Sequence, residues 1–158
     1  MTSPAAQVAG FIAKFDPAVG RVARTARTML RKRMPTATEL VYDNYNALAI
    51  GFGPSPRTSE AIVSLAIYAR GVNLYFLYGA HLTDPDRLLE GNGMRGRFVR
   101  LPTAERLADP GVQALLAAAI ADCDPPFPGT GRVRTIVKSV SAKQRPRRPT
   151  AGRTARRG

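Results

Sequence analysis

The chain has no tryptophan, one histidine and one cysteine in 158 residues, and each scarcity removes a class of chemistry. A lone Cys123 permits neither an internal disulfide nor a thiolate cluster for zinc or iron–sulfur, and it suits a reducing compartment, here taken as the cytoplasm. No apolar run reaches 18 residues and no basic leader precedes an apolar stretch, which argues against membrane insertion and against secretion. Acidic residues are missing from Arg132 to Gly158, where ten Lys and Arg stand with Pro, Gly, Ser and Thr.

What is present divides along the chain. Hydrophobic residues make up 44% of the sequence, an ordinary globular value, and the length suits one core. Met1 to Gly131 holds 14 Lys and Arg against all 11 acids, so the formal charge of +13 belongs mostly to the last 27 residues. A segment so charged and so poor in large apolar side chains does not offset its ordering entropy. One domain over 1–125 and a disordered basic tail over 126–158 are expected.

Within the domain, Ser3-Pro4 and Asp16-Pro17 are helix starts, each with a capping residue before a proline. Val8, Phe11, Ile12 and Phe15 follow the first start at helical spacing, and Val19, Val22, Ala23, Ala26, Met29 and Leu30 the second, which ends at Met34-Pro35. The period then changes to that of strands: Leu40–Tyr45, Ala47–Phe52, Ala61–Tyr68, Val72–Tyr78 and Arg97–Leu101, with turns at Asn46 and at Ala69-Arg70-Gly71. Thr83–Leu89 reads as a short capped helix, and Asp109-Pro110 opens a final helix stopped by Pro125-Pro126. The expected fold is α+β: two N-terminal helices, a mostly antiparallel sheet of about five strands, a short helix and a C-terminal helix, then the tail. No glycine-rich strand-to-helix turn is present, which speaks against a doubly wound nucleotide-binding fold.

The run Ile62–Leu77, the segment Leu82–Gly93, the strand Arg95-Gly96-Arg97-Phe98-Val99 and the helix 110–123 together resemble the YdhG-like family, also called domain of unknown function 1801. The resemblance covers about residues 10–123. Relatives carry a Tyr-Gly-x-Pro motif in the first hairpin, whereas this chain has Tyr42-Asp43-Asn44-Tyr45-Asn46. A proposed role of the family is frataxin-like iron chaperoning, so the resemblance implies an iron or small-molecule carrier as an alternative function.

No cluster reaches the pattern of a known catalytic or metal site, and no cofactor is assigned. Asp84, Asp86 and Glu90, with Asp122 and Asp124, are the oxygen donors an iron site would draw on, but helix capping accounts for Asp84 and Asp86. Tyr42, Asn44, Tyr45 and Asn46 combine aromatic faces with amide groups in one hairpin, a chemistry suited to binding a small molecule or a protein, and His81 is a further polar candidate. Tyr68, Tyr75 and Tyr78, interleaved with Arg70 and near Arg97 and Arg100, offer either core packing or a base-stacking platform. In the tail, Arg145, Arg147, Arg148, Arg153, Arg156 and Arg157 are placed to pair with phosphates without sequence preference. The expected function is a non-enzymatic binding or adaptor domain with weak, nonspecific nucleic-acid affinity and no membrane partner.

Overall fold

Two prolines begin the fold. Ser3 caps α1 (Pro4–Ala13) by accepting the Ala6 amide on its hydroxyl at 3.1 Å, and Pro17 opens α2 (Pro17–Arg33) immediately after Asp16. In both helices proline occupies the first turn, where its missing N–H is not needed. The computed structural model describes residues 2–149, so Arg153, Arg156 and Arg157 lie outside the described residues.

The strands are β1 (Thr38–Asp43), β2 (Leu48–Gly53), β3 (Val63–Tyr68), β4 (Gly71–Phe76), β5 (Arg97–Leu101) and β6 (Arg134–Val140), with α3 (Pro110–Ala121) between the last two. They form one sheet in the order β5-β4-β3-β2-β1-β6. The first five make an antiparallel meander, and β6 lies parallel to β1 at the far edge. Alternation sorts the side chains into two faces. Val41, Ile50, Leu65 and Leu74 stand on the inner face, where they join Val8, Ile12, Leu30, Val112 and Leu116 of the helices in the core.

The architecture is α+β, as expected, with three departures. The sheet gains a sixth strand inside the segment expected to be disordered from residue 126. Averaged over 27 residues the composition is that of a solvated tail, yet Thr135, Ile136, Val137 and Val140 form a local β-branched run that completes the ladder of β1. Second, no helix forms at 83–89: the Asp84 carboxylate accepts the amides of Leu88 (2.9 Å) and Leu89 (2.8 Å), and Arg87 takes φ +53°. The capping chemistry of Asp84 is present, but it competes with the helical ladder and closes a turn. Third, β1 ends at Asp43, so Asn44, Tyr45 and Asn46 are turn residues, closed by the Asn44 amide on the Ala47 carbonyl at 3.0 Å.

Inclusion of β6 changes the electrostatics of the folded body. Of the 24 Lys and Arg, 21 fall in residues 2–149 with all 11 acids, a net charge of +10 on the described part.

Glu39, on the inner face of β1, is fully buried. Arg27 grips both its oxygens at 2.7 and 2.8 Å, Arg31 adds a contact at 2.9 Å, and the Thr135 hydroxyl of β6 donates at 2.7 Å. Burial works against its charge, but these donors outweigh burial and hold the carboxyl below its ordinary value of 4.5. A depressed carboxyl stabilises the fold above its unfolded pKa, and that contribution disappears as pH falls through the folded value. Denaturant melts between pH 7 and pH 3 are therefore expected to lose stability below pH 4.5. Glu39→Gln should cost about 3 kcal/mol at pH 7, the order seen on breaking a buried ion pair, and should flatten that acid limb. An unchanged limb would show that Glu39 is not linked to folding.

Candidate nucleic-acid interface

The register fixes which sequence candidates can meet. At one end of the sheet lie the β1–β2 turn, the β3–β4 turn at Ala69-Arg70 and the exit of β6, because Asp43 pairs with Leu48 and with Val140, and Tyr68 with Gly71. At the other end lie Phe76 and Arg97, and with them the 3-10 turn Gly79–His81 that follows β4. A strand of six residues spans roughly 20 Å. The hairpin 42–46 and His81 therefore occupy opposite ends and do not form one site.

The first hairpin meets instead the segment expected to be a free tail. Asp43 is fully buried on the inner face, and its carboxylate takes the Lys14 ammonium at 2.7 Å on Oδ2 and Arg147 Nη2 at 2.9 Å on Oδ1. Gln144 accepts from Lys14 at 3.1 Å and donates its own amide to the Asp43 carbonyl at 3.1 Å. Burial opposes the Asp43 charge; the bonds from Lys14, Gln144 and Arg147 outweigh it and hold the carboxyl below its ordinary value of 3.8. Main-chain bonds continue the seam, from Ser141 N to Asp43 O and from Arg145 N to Tyr45 O, both at 2.8 Å. Ser139 donates to the Asn44 side chain at 3.2 Å.

Arg147 is 7% exposed, so it belongs to the core of this seam and is not offered to a ligand. It donates to the Asn44 carbonyl at 2.5 Å and lies 5.5 Å from the Phe15 ring centre. Arg145 and Arg148 are exposed. The Arg145 guanidinium stands 5.8 Å from the ring centre of Tyr45, itself 49% exposed, and Arg148 caps the end of α1 through the carbonyls of Lys14 (3.1 Å) and Ala13 (3.5 Å). Lys143 is exposed on the same segment, and Arg70 and Tyr68 are exposed at the same end of the sheet. Of the nearby acids, Asp43 is buried and paired, while half-buried Asp16 heads α2. The corner is thus a set of exposed cations beside aromatic faces, with its one buried carboxylate doubly countered.

Among the other candidates, Tyr42 lies on the outer sheet face with its hydroxyl 2.5 Å from that of Thr58, and Asn46 is an exposed turn residue. His81 is exposed and lines a cavity of about 130 Å³ walled by Ile62, Phe76, Leu82 and Ala119 and rimmed by Tyr78 and Asp122. Among the described residues no three His, Cys, Asp or Glu converge as a metal set. Asp84 is committed to backbone amides, and Glu90 pairs with Arg100 at 3.3 Å. The Cys123 thiol is buried, and burial, then Glu60 and Asp124, push its pKa up, the opposite of an activated nucleophile. No family model matches the chain, and no curated protein or solved structure matches it either.

Lys14, Gln144 and the role of Asp43 were not evident from the sequence. One signal was available: Asp43 falls on the same strand face as Val41, and an acid on a core face requires a cation from elsewhere in the chain. Replacement of Arg147 by Ala is expected to cost about 3 kcal/mol, since Asp43 loses one of two countercharges, and to open Lys143 and Arg145 to trypsin. A melt within about 0.5 kcal/mol of wild type, with no new cleavage, would mean that the seam does not hold the segment.

Proposed function

We propose that this protein is a non-enzymatic binding domain that takes nucleic acid at the corner where residues 139–148 dock on the first hairpin. The observation that carries the reading is the seam itself: it converts a basic tail into a positioned cationic surface of Lys143, Arg145 and Arg148 beside Tyr45, with Arg70 at the same end of the sheet. Arginine suits phosphate because its planar guanidinium offers paired donors, and a fixed cation forfeits less entropy on contact than one in a free chain. The folded body's charge of +10 adds a long-range attraction that the sequence division at residue 131 had assigned to the tail alone. None of these contacts reads base edges, so the affinity is expected to be indifferent to sequence.

We also read the chain as a divergent YdhG-like protein, on the order of its elements, and as cytoplasmic, on its single buried thiol. No helix among the described residues is long and apolar enough to cross a membrane. A second reading has one observation in its favour: the cavity at Tyr78, His81 and Asp122 has apolar walls and a few polar groups, the kind of lining a small-molecule site has, although its volume of about 130 Å³ suits only a very small ligand. The iron branch of that reading has no convergent ligand set behind it among the described residues.

Binding to a labelled duplex, measured by anisotropy against salt, tests the main reading. The slope of log K on log salt should correspond to several phosphate contacts. Replacing Arg145 and Arg148 together with Ser should reduce that slope by about two phosphate contacts and weaken binding on all sequences alike. A chain ending at Pro149 separates the positioned cations from Arg153, Arg156 and Arg157; loss of all binding in that chain would move the function outside the seam.

A further inference from the structure

The helices cover the inner face of the sheet, and the outer face is covered only in part. The loop 54–61 crosses it at β1 and β2, where Ala61 closes on Gly53 and Leu40 is buried. Beyond that loop the middle of the face is open, while toward β5 the segment 91–96 lies against it, Gly91 on the Phe98 ring and Gly96 at the edge of the Tyr75 ring. One row runs across five strands by register, Tyr42–Ala49–Ala66–Asn73–Arg100, and a second runs Ser64–Tyr75–Phe98. Tyr68 is 42% exposed and Tyr75 38%, while Ala49, Ser64, Ala66, Asn73 and Phe98 are half-buried.

The composition of this face selects its occupant. Ala49, Ser64 and Ala66 make a low floor, and Tyr68 and Tyr75 rise at either side of the Ala66–Asn73 row. By register the two tyrosines stand four residue steps apart, roughly 14 Å at the usual strand rise. Apart from Leu40, at the end of the second row and covered by the loop, no Leu, Ile or Val stands at the outer-face positions of these two rows, so a protein helix would find no aliphatic ridges to pack between. Flat aromatic faces at strand spacing are suited to unpaired bases, which stack on them irrespective of sequence. Asn73 adds amide groups. Arg100 adds a cation whose present partner, Glu90, is 44% exposed, so that surface pair costs little to exchange for a phosphate. Tyr68, the last residue of β3, borders both this face and the basic corner, and it joins the two into one path.

We propose that the outer face is a stacking platform for single-stranded nucleic acid, with Tyr68 and Tyr75 as the stacking residues and Arg100 as a phosphate contact. The proposal rests on the nucleic-acid reading of the basic corner and adds the strandedness of the ligand. It also narrows the sequence expectation: Tyr78 leaves the sheet for the cavity that His81 lines, and the Arg97 guanidinium is held by the Gly93 and Gly96 carbonyls, so neither belongs to the platform.

The test uses the full chain and two labelled probes, an oligothymidine about a dozen nucleotides long and a duplex of equal length, at one fixed salt concentration. Tyr68→Ala with Tyr75→Ala is expected to weaken the single strand by about tenfold or more and to leave the duplex within about twofold. Tyr68→Phe with Tyr75→Phe keeps the ring faces and should keep single-strand affinity, which guards against a loss caused by misfolding. Arg145→Ser with Arg148→Ser should weaken both probes. Unchanged single-strand affinity in the Ala pair, or an equal loss on both probes, overturns the platform and leaves the basic corner standing. If neither probe binds the wild-type chain, the corner and the platform fall together.

Discussion

A buried carboxylate must be countered, and in this protein the counterions come from the two ends of the chain. Asp43 sits on the core face of β1 with no access to water, held by Lys14 of the N-terminal helix hairpin and by Arg147 near the C-terminus. Either cation alone would leave one oxygen of Asp43 short of a partner, and removing both would leave an uncompensated buried charge, a cost of several kcal/mol. That requirement draws residues 141–148 back across the end of the sheet. On its way to Arg147 the chain runs beside β1 as the parallel strand β6, with Thr135 turned inward onto Glu39. The two inward acids of β1 thus tie the same C-terminal segment to the fold at both of its ends.

The functional reading follows from this tie. Without it, the basic segment after residue 131 would be an appendage whose arginines sample many positions. With it, Arg145 lies against Tyr45, Arg148 closes the last turn of α1, and Lys143 is exposed on the same segment. The same geometry separates roles that composition treats as equal. Arg147 is structural because it is buried and paired, while Arg145 and Arg148 are exposed. The outer face of the meander then offers stacking surfaces that continue from the corner through Tyr68.

Much of the architecture was legible in advance because it rests on local signals. Proline after a capping residue marked both N-terminal helices, β-branched and aromatic runs marked the meander, and Asp109-Pro110 marked α3. Asp84 shows the limit of such signals: its side chain does cap backbone amides, but whether a cap starts a helix or closes a turn depends on the residues after it, here Arg87 at positive φ. β6 was missed for a different reason. Its stability comes from pairing with a strand about a hundred residues earlier and from ion pairs to Asp43, neither of which is visible in the composition of the segment itself. The candidate site was half legible in the same way. The hairpin and the arginines were each singled out, but only the parallel register brings them together, and the same register sends His81 to the opposite end of the sheet.

The most direct test of this account is native-state hydrogen exchange on the amides of Ser141 and Arg145, which donate to the carbonyls of Asp43 and Tyr45. If the C-terminal segment is part of the cooperative fold, both exchange with protection approaching that of β1, and Arg147→Ala lowers their protection ahead of the rest of the sheet. Exchange at the rate of an unstructured peptide in the wild-type chain would contradict the account, because Arg147 would then not hold the segment and the positioned cations would not exist.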